Sequence, residues 1–180
     1  MGTRQQGAAA SVLDVERKVI MGLNELSVVL WRERQLLELL LFKLEEEQLL
    51  LTSGRTQWLG HATREVETVL DQIRTAELGR SVEADAAARQ VGAPEGSNLL
   101  VLAAAAPPPW DDLMRDHHEA FVLLTDQINS LAEGNRDLLA TSHRAAQETL
   151  MSLQESVQTY DPRGGASSVS GSIQLLDQAL

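Results

Sequence analysis

The sequence predicts an all-α protein: an elongated antiparallel three-helix bundle of coiled-coil type. A short extra helix lies in its second connection and a flexible tail at its C-terminus. Three observations carry this expectation. Leu, Ala, Glu, Gln and Arg are frequent and aromatics are only 3% of the 180 residues, a balance that suits helices better than a sheet-based core. Apolar residues recur in steps of three and four along extended proline-free runs. The runs are separated by residues that stop helices: Thr52-Ser53-Gly54, then Gly92 to Ser97, then Pro107-Pro108-Pro109.

The first helix is expected from about residue 12 to 52, after a small, polar and disordered stretch over residues 1–10. Its seam is Leu23, Leu26, Leu30, Glu33, Leu37, Leu40, Leu44, Glu47 and Leu51, a heptad-like stripe interrupted by two acids. Gly54 supplies its stop, and the second helix follows at 56–91. A connection this short makes the pair an antiparallel hairpin. The second stripe is thinner: Leu59, Ala62, Val66, Val69, Leu70, Ile73, Ala76, Ala84, Ala87 and Val91, with Glu77 and Arg80 lying within it.

GAPEGS is a loop, and Ser97 is the expected cap of a short helix over 98–105. The triple proline ends that helix and bends the chain. The third long helix, 110–159, opens with Asp111 and Asp112 near its positive end. Its stripe runs Leu113, His117, Phe121, Leu124, Ile128, Leu131, Asn135, Leu138, Ser142, Ala146, Leu150, Leu153 and Val157. Glu33 and Asn135 are polar residues on seam positions, which suits a role in setting register. Gly134 suggests a bend or a close helix approach. Residues 1–160 thus read as one helical domain and the Ser/Gly-rich residues 161–180 as a flexible tail.

Chemistry is hard to place on this chain. The net charge of −11, without a basic patch, argues against nucleic acid as a partner. There is no cysteine. No two of His61, His117, His118 and His143 stand three or four apart, and none follows a carboxylate at the Glu-x-x-His spacing of a di-iron bundle. No glycine-rich phosphate loop and no rigidly held nucleophile is evident. No enzyme, cofactor or metal is therefore expected. Charges interrupt every apolar run before about 20 residues, so stable membrane insertion is not expected, and no export signal is recognised. A cytoplasmic location is the expectation.

The stretch LLELLLFKLEEEQLLL carries more apolar surface than one seam uses. On a helical wheel of about 100° per residue, Val28, Trp31, Leu39, Phe42, Leu49 and Leu50 form a ridge roughly opposite the seam. A bundle helix needs one broad stripe. Either the other two helices cover the ridge, or it is left bare for another amphipathic helix. In the second case Trp31, Leu39, Phe42 and Leu49, with Leu150, Leu153 and Val157 of the third helix, are candidate partner contacts. A self-associating structural adaptor using the same face is the alternative, and the chain is expected as monomer or dimer.

The leucine-rich first helix with LEEEQLLL, the hairpin and the long third helix together resemble the FlgN-type flagellar export chaperones, and the resemblance covers most of the chain. LAEGNRDLL, Leu131 to Leu139, is similar to that family's Asn-x-x-Leu-Leu segment. TYDPRG, Thr159 to Gly164, is similar to its Tyr-x-x-x-Gly segment at the start of the tail. NLLVLAAAAPPPW departs from the shorter members as a longer connection. The resemblance implies a cytoplasmic chaperone. Its clients would be hook-associated proteins of the hook–filament junction, bound through their C-terminal amphipathic helices. It also implies client contacts at Leu138 and Leu139, and docking of Tyr160 to the export apparatus.

Overall fold

The computed structural model describes residues 3–159 and, within them, the side chains of 17–154. It contains four α-helices: α1 Thr3–Thr52, α2 Leu59–Val91, α3 Leu99–Ala105 and α4 Trp110–Thr159. One turn of 3-10 helix, Thr56–Trp58, leads into α2. No strand occurs among the described residues. The all-α expectation is met. Tyr160 and the tail 161–180 lie outside the described residues. The chain divides into two units, Met1–Arg136 and Asp137–Leu180, a division with no counterpart in the sequence pattern.

α1 begins at Thr3 rather than near residue 12. No proline interrupts this stretch and Ala8, Ala9 and Ala10 are the strongest helix formers, so helix propagates back from the packed turns downstream. It stops as expected at Gly54, whose φ of 70° is a left-handed conformation. The amide of Arg55 donates to the carbonyl of Leu50 at 3.0 Å and that of Gly54 to Leu51 at 3.2 Å, the paired bonds of a Schellman stop. The cap of α3 differs from expectation. Asn98, not Ser97, holds it: Asn98 Oδ1 accepts from the Val101 amide at 3.0 Å, while Ser97 Oγ donates to the Pro94 carbonyl at 2.6 Å. One residue of loop length decides which of two adjacent capping side chains meets the helix.

Cross-helix pairs show the topology of the first unit. Glu33 meets Arg80, Lys43 meets Glu65 and Glu47 meets Thr63, so α2 runs antiparallel to α1. Trp31 meets His117 and Glu47 meets Asn135, so the part of α4 within this unit runs parallel to α1. The α1 seam is buried along Leu23, Leu26, Leu30, Leu40, Leu44 and Leu51. Each such leucine removed from water contributes about 1.5–3 kcal/mol before the entropy of ordering it.

Two core clusters form on this seam. In one, Leu40, Leu44, Val69 and Ile73 pack with Ile128 and Leu131. In the other, Leu23, Leu26 and Leu30 pack with Met114, with Ala87 and Ala88 of α2, and with Leu102 and Ala103 of α3. The second cluster accounts for the long connection. Where the α2 stripe thins to alanine it offers little bulk, and Leu102 fills the space. A bundle lacking α3 would leave a void there.

The two acids in the seam are each met from another helix. Arg80 Nε lies 2.7 Å from the buried Glu33 carboxylate, at an angle outside ordinary hydrogen-bond geometry. Buried Glu47 accepts from Thr63 Oγ1 of α2 at 2.9 Å and from Asn135 Nδ2 of α4 at 3.2 Å. Asn135 Nδ2 also donates to the Leu44 carbonyl at 2.9 Å. A polar knot thus joins three helices, and a slip of either partner by one residue would leave the carboxylate unsatisfied. Gly134, beside it, needs no close backbone approach: a Cβ there would meet only Gln48 Nε2, at 3.5 Å.

Two glycines should respond oppositely to alanine. Gly79 is exposed inside α2 and a Cβ there meets nothing within 4 Å. Gly79→Ala is expected to raise stability by about 0.5–1 kcal/mol. Gly54→Ala forces a left-handed residue with a Cβ and is expected to lower it by about 1 kcal/mol. Urea unfolding of both variants checks the sign; a shared direction would contradict the helical Gly79 and the left-handed Gly54.

Candidate helix-binding ridge

α1 presents its surplus apolar residues away from the seam because 3.6 residues per turn place Val28, Leu39, Phe42 and Leu49 opposite Leu30, Leu37, Leu44 and Leu51. α2 and α4 pack beside the seam and, apart from the inner side of Trp31, leave this face uncovered. Phe42 is 52% exposed and Leu49 67%, and Val28, Trp31 and Leu39 are exposed as well. Leu50, which the wheel puts at the ridge margin, is half-buried. A scattered exposed leucine means little, but five large apolar residues share this helix face, with Gln35 and Glu46 between them.

The ridge is flanked by cations. Arg34 lies over the Trp31 ring, 5.1 Å from its centroid, and is held by Glu38 at 3.2 Å. Lys43 lies 5.4 Å from the Phe42 centroid and reaches Glu46 and Glu65, each at 2.7 Å. Hydrogen bonds to Glu46 and then Glu65 hold the Lys43 ammonium charged and raise its pKa. The same lysine, chiefly through its hydrogen bond, lowers the pKa of Glu65. The carboxylate partners reach solvent, so each ion pair adds little to stability, and the cations lie against both ridge rings.

At one end the ridge reaches into the core. The Trp31 ring meets buried His117 edge-on, with centroids 4.9 Å apart and planes at 74°. His117 in turn stacks on Phe121 at 6.3 Å. Burial, with the Arg34 charge second, lowers the His117 pKa, and Asp116 acts in the opposite sense. His117 was expected as a seam residue; its place behind a ridge aromatic required the α1–α4 register.

In the second unit, residues 139–154 of α4 are exposed throughout, including Leu139, Leu150 and Leu153, while Leu138 is half-buried. The side chain of Val157, like Tyr160, lies outside the description. The Trp31, Leu39, Phe42 and Leu49 set therefore comes together on one helix face of the first unit, and Leu138, Leu139, Leu150 and Leu153 belong to the second. Sequence reading missed the exposed Leu78 and Val82 on the outer side of α2. Their spacing of four was the available signal.

Among the described residues, no group of three or more His, Asp or Glu side chains is arranged to hold a metal ion, and no helix is long and apolar enough to cross a membrane. A family model described as FlgN protein matches residues 21–168. No curated protein and no solved structure matches the chain.

Proposed function

The chain belongs to the FlgN family of flagellar export chaperones, and from that premise we propose that it acts in the cytoplasm by sequestering the C-terminal amphipathic helices of hook-associated proteins. The observation that carries this reading is the α1 ridge: α2 and α4 both pack on α1 and still leave Val28, Leu39, Phe42 and Leu49 in water. An amphipathic client helix has the complementary surface, an apolar face with anchors three and four residues apart. Laid along the ridge, it would bury its own apolar face and the chaperone's together. Mass action then keeps the client from polymerising or aggregating before export.

Leu138, Leu139, Leu150 and Leu153 of α4 offer a second apolar surface for the client, and Val157 continues their spacing. Tyr160 is the proposed point of delivery to the export apparatus.

The test is a calorimetric titration of the full chain with C-terminal peptides of hook-associated proteins. Binding at micromolar concentration is expected, and its absence at tens of micromolar would overturn the reading. Phe42→Glu locates the surface. Phe42 is exposed, so stability should change by less than about 0.5 kcal/mol. Affinity should fall by at least about tenfold, or 1.4 kcal/mol. Unchanged affinity in a folded variant would move the client off the ridge.

A further inference from the structure

His117 is 1% exposed, and neither ring nitrogen has a hydrogen-bond partner among the described residues. A buried polar ring without partners is costly to keep, and a core leucine at this seam position would avoid that cost. Its neighbours are aromatic: Trp31 edge-on at 4.9 Å and Phe121 stacked at 6.3 Å. Trp31 is the ridge residue that His117 backs, and Arg34 already lies over its ring. A proton on His117 would place a second cation against the same indole, in a site with no carboxylate bonded to the ring.

We infer that His117 makes the Trp31 end of the ridge acid-sensitive: protonation drives the imidazole out from behind Trp31, unseats that anchor and weakens the grip on a bound helix. The inference rests on the ridge being the client surface. The charges acting on the ring come from the two helices that hold it. Arg34 of α1, paired with Glu38, opposes protonation; Asp116 of α4 favours it. No charge of α2 or α3 among the described residues acts on it.

Burial holds the folded-state pKa below the ordinary 6.5. The neutral ring's contribution is therefore complete above pH 6.5 and is lost as pH falls through the lowered value. Glu33 works the other way, because its raised pKa makes protonation relieve a buried charge as pH falls. Glu33→Gln separates the two.

The experiment uses the full chain with Trp58→Phe and Trp110→Phe, so that Trp31 is the sole tryptophan and is excited selectively. Its emission is expected to shift on acidification below pH 6.5. Affinity for a hook-associated C-terminal peptide should be several-fold weaker at about pH 5 than at about pH 7.5. His117→Phe should abolish both responses, and His117→Met serves if the larger ring does not fold. Flat emission down to global unfolding, or the same shift in a folded His117 variant, overturns the inference. If no peptide binds at about pH 7.5, the client reading fails, and the emission shift alone decides the role of His117.

Discussion

Asn135→Ala should destabilise the protein by about 2–3 kcal/mol, because the amide it removes satisfies a buried carboxylate. Asn135 Nδ2 reaches Glu47 Oε2 at 3.2 Å and the Leu44 carbonyl at 2.9 Å. After truncation Glu47 keeps only Thr63, on its other oxygen. A hydrogen bond to a charged group is worth more than a neutral one, and the unmatched acceptor adds its own desolvation cost. The partner mutation should not simply add. In a double-mutant cycle of Asn135→Ala with Glu47→Ala, the coupling should reach about 1–3 kcal/mol, since removing the carboxylate also removes the penalty of leaving it unpaired. Chemical unfolding of the four proteins measures it. A coupling near zero would mean that the knot does not join α1 to α4.

Arg80→Met should cost about 2–3 kcal/mol at neutral pH and less in acid. Its target, Glu33, is buried in the α1 seam, and Arg80 is the one cation that contacts it among the described residues. Because Arg80 is itself 39% exposed, the cost falls at or below the roughly 3–5 kcal/mol of a fully buried broken pair. Burial chiefly raises the Glu33 pKa above 4.5, Arg80 pulls it down, and Glu77 pushes it up. Without Arg80 it rises further. A raised carboxylate pKa means stability that is complete below pH 4.5 and is lost as pH rises through the folded-state value, so the variant's deficit grows toward neutrality. Glu33→Met is the informative contrast. It removes the buried charge and leaves an arginine that can reach water, so its change should stay within about 1 kcal/mol or favour the fold. Equal losses from the two variants would show that the pair, rather than the stranded carboxylate, governs stability here.

Much of this architecture was legible in the chain. Leucines at steps of three and four can meet water or a neighbour, and nine seam positions from Leu23 to Leu51 left one economical answer. Gly54 and the triple proline marked boundaries for purely local steric reasons. The polar seam residues were visible too, as interruptions, and so was Arg80 within the α2 stripe, but its meeting with Glu33 followed only from the α1–α2 register. The partners of Glu47 were not visible, because Thr63 and Asn135 are 16 and 88 residues away and meet it only when all three helices are in register. The cap of α3 depended on a single residue of loop length.

The second face of α1 separates the two kinds of information. The sequence by itself determined that α1 has two apolar faces, because the 3.6-residue period sends Leu39, Phe42 and Leu49 to the side away from Leu37, Leu44 and Leu51. It could not decide whether neighbours cover the second face, since a stripe carries no record of what packs on it. Tertiary structure decided that. The α2 stripe thins to alanine, α3 is drawn in to fill the resulting space with Leu102, and α2 and α4 both pack toward the seam, leaving the ridge in water and His117 behind Trp31. Helix periodicity is local to one segment, whereas burial belongs to all the segments that meet there.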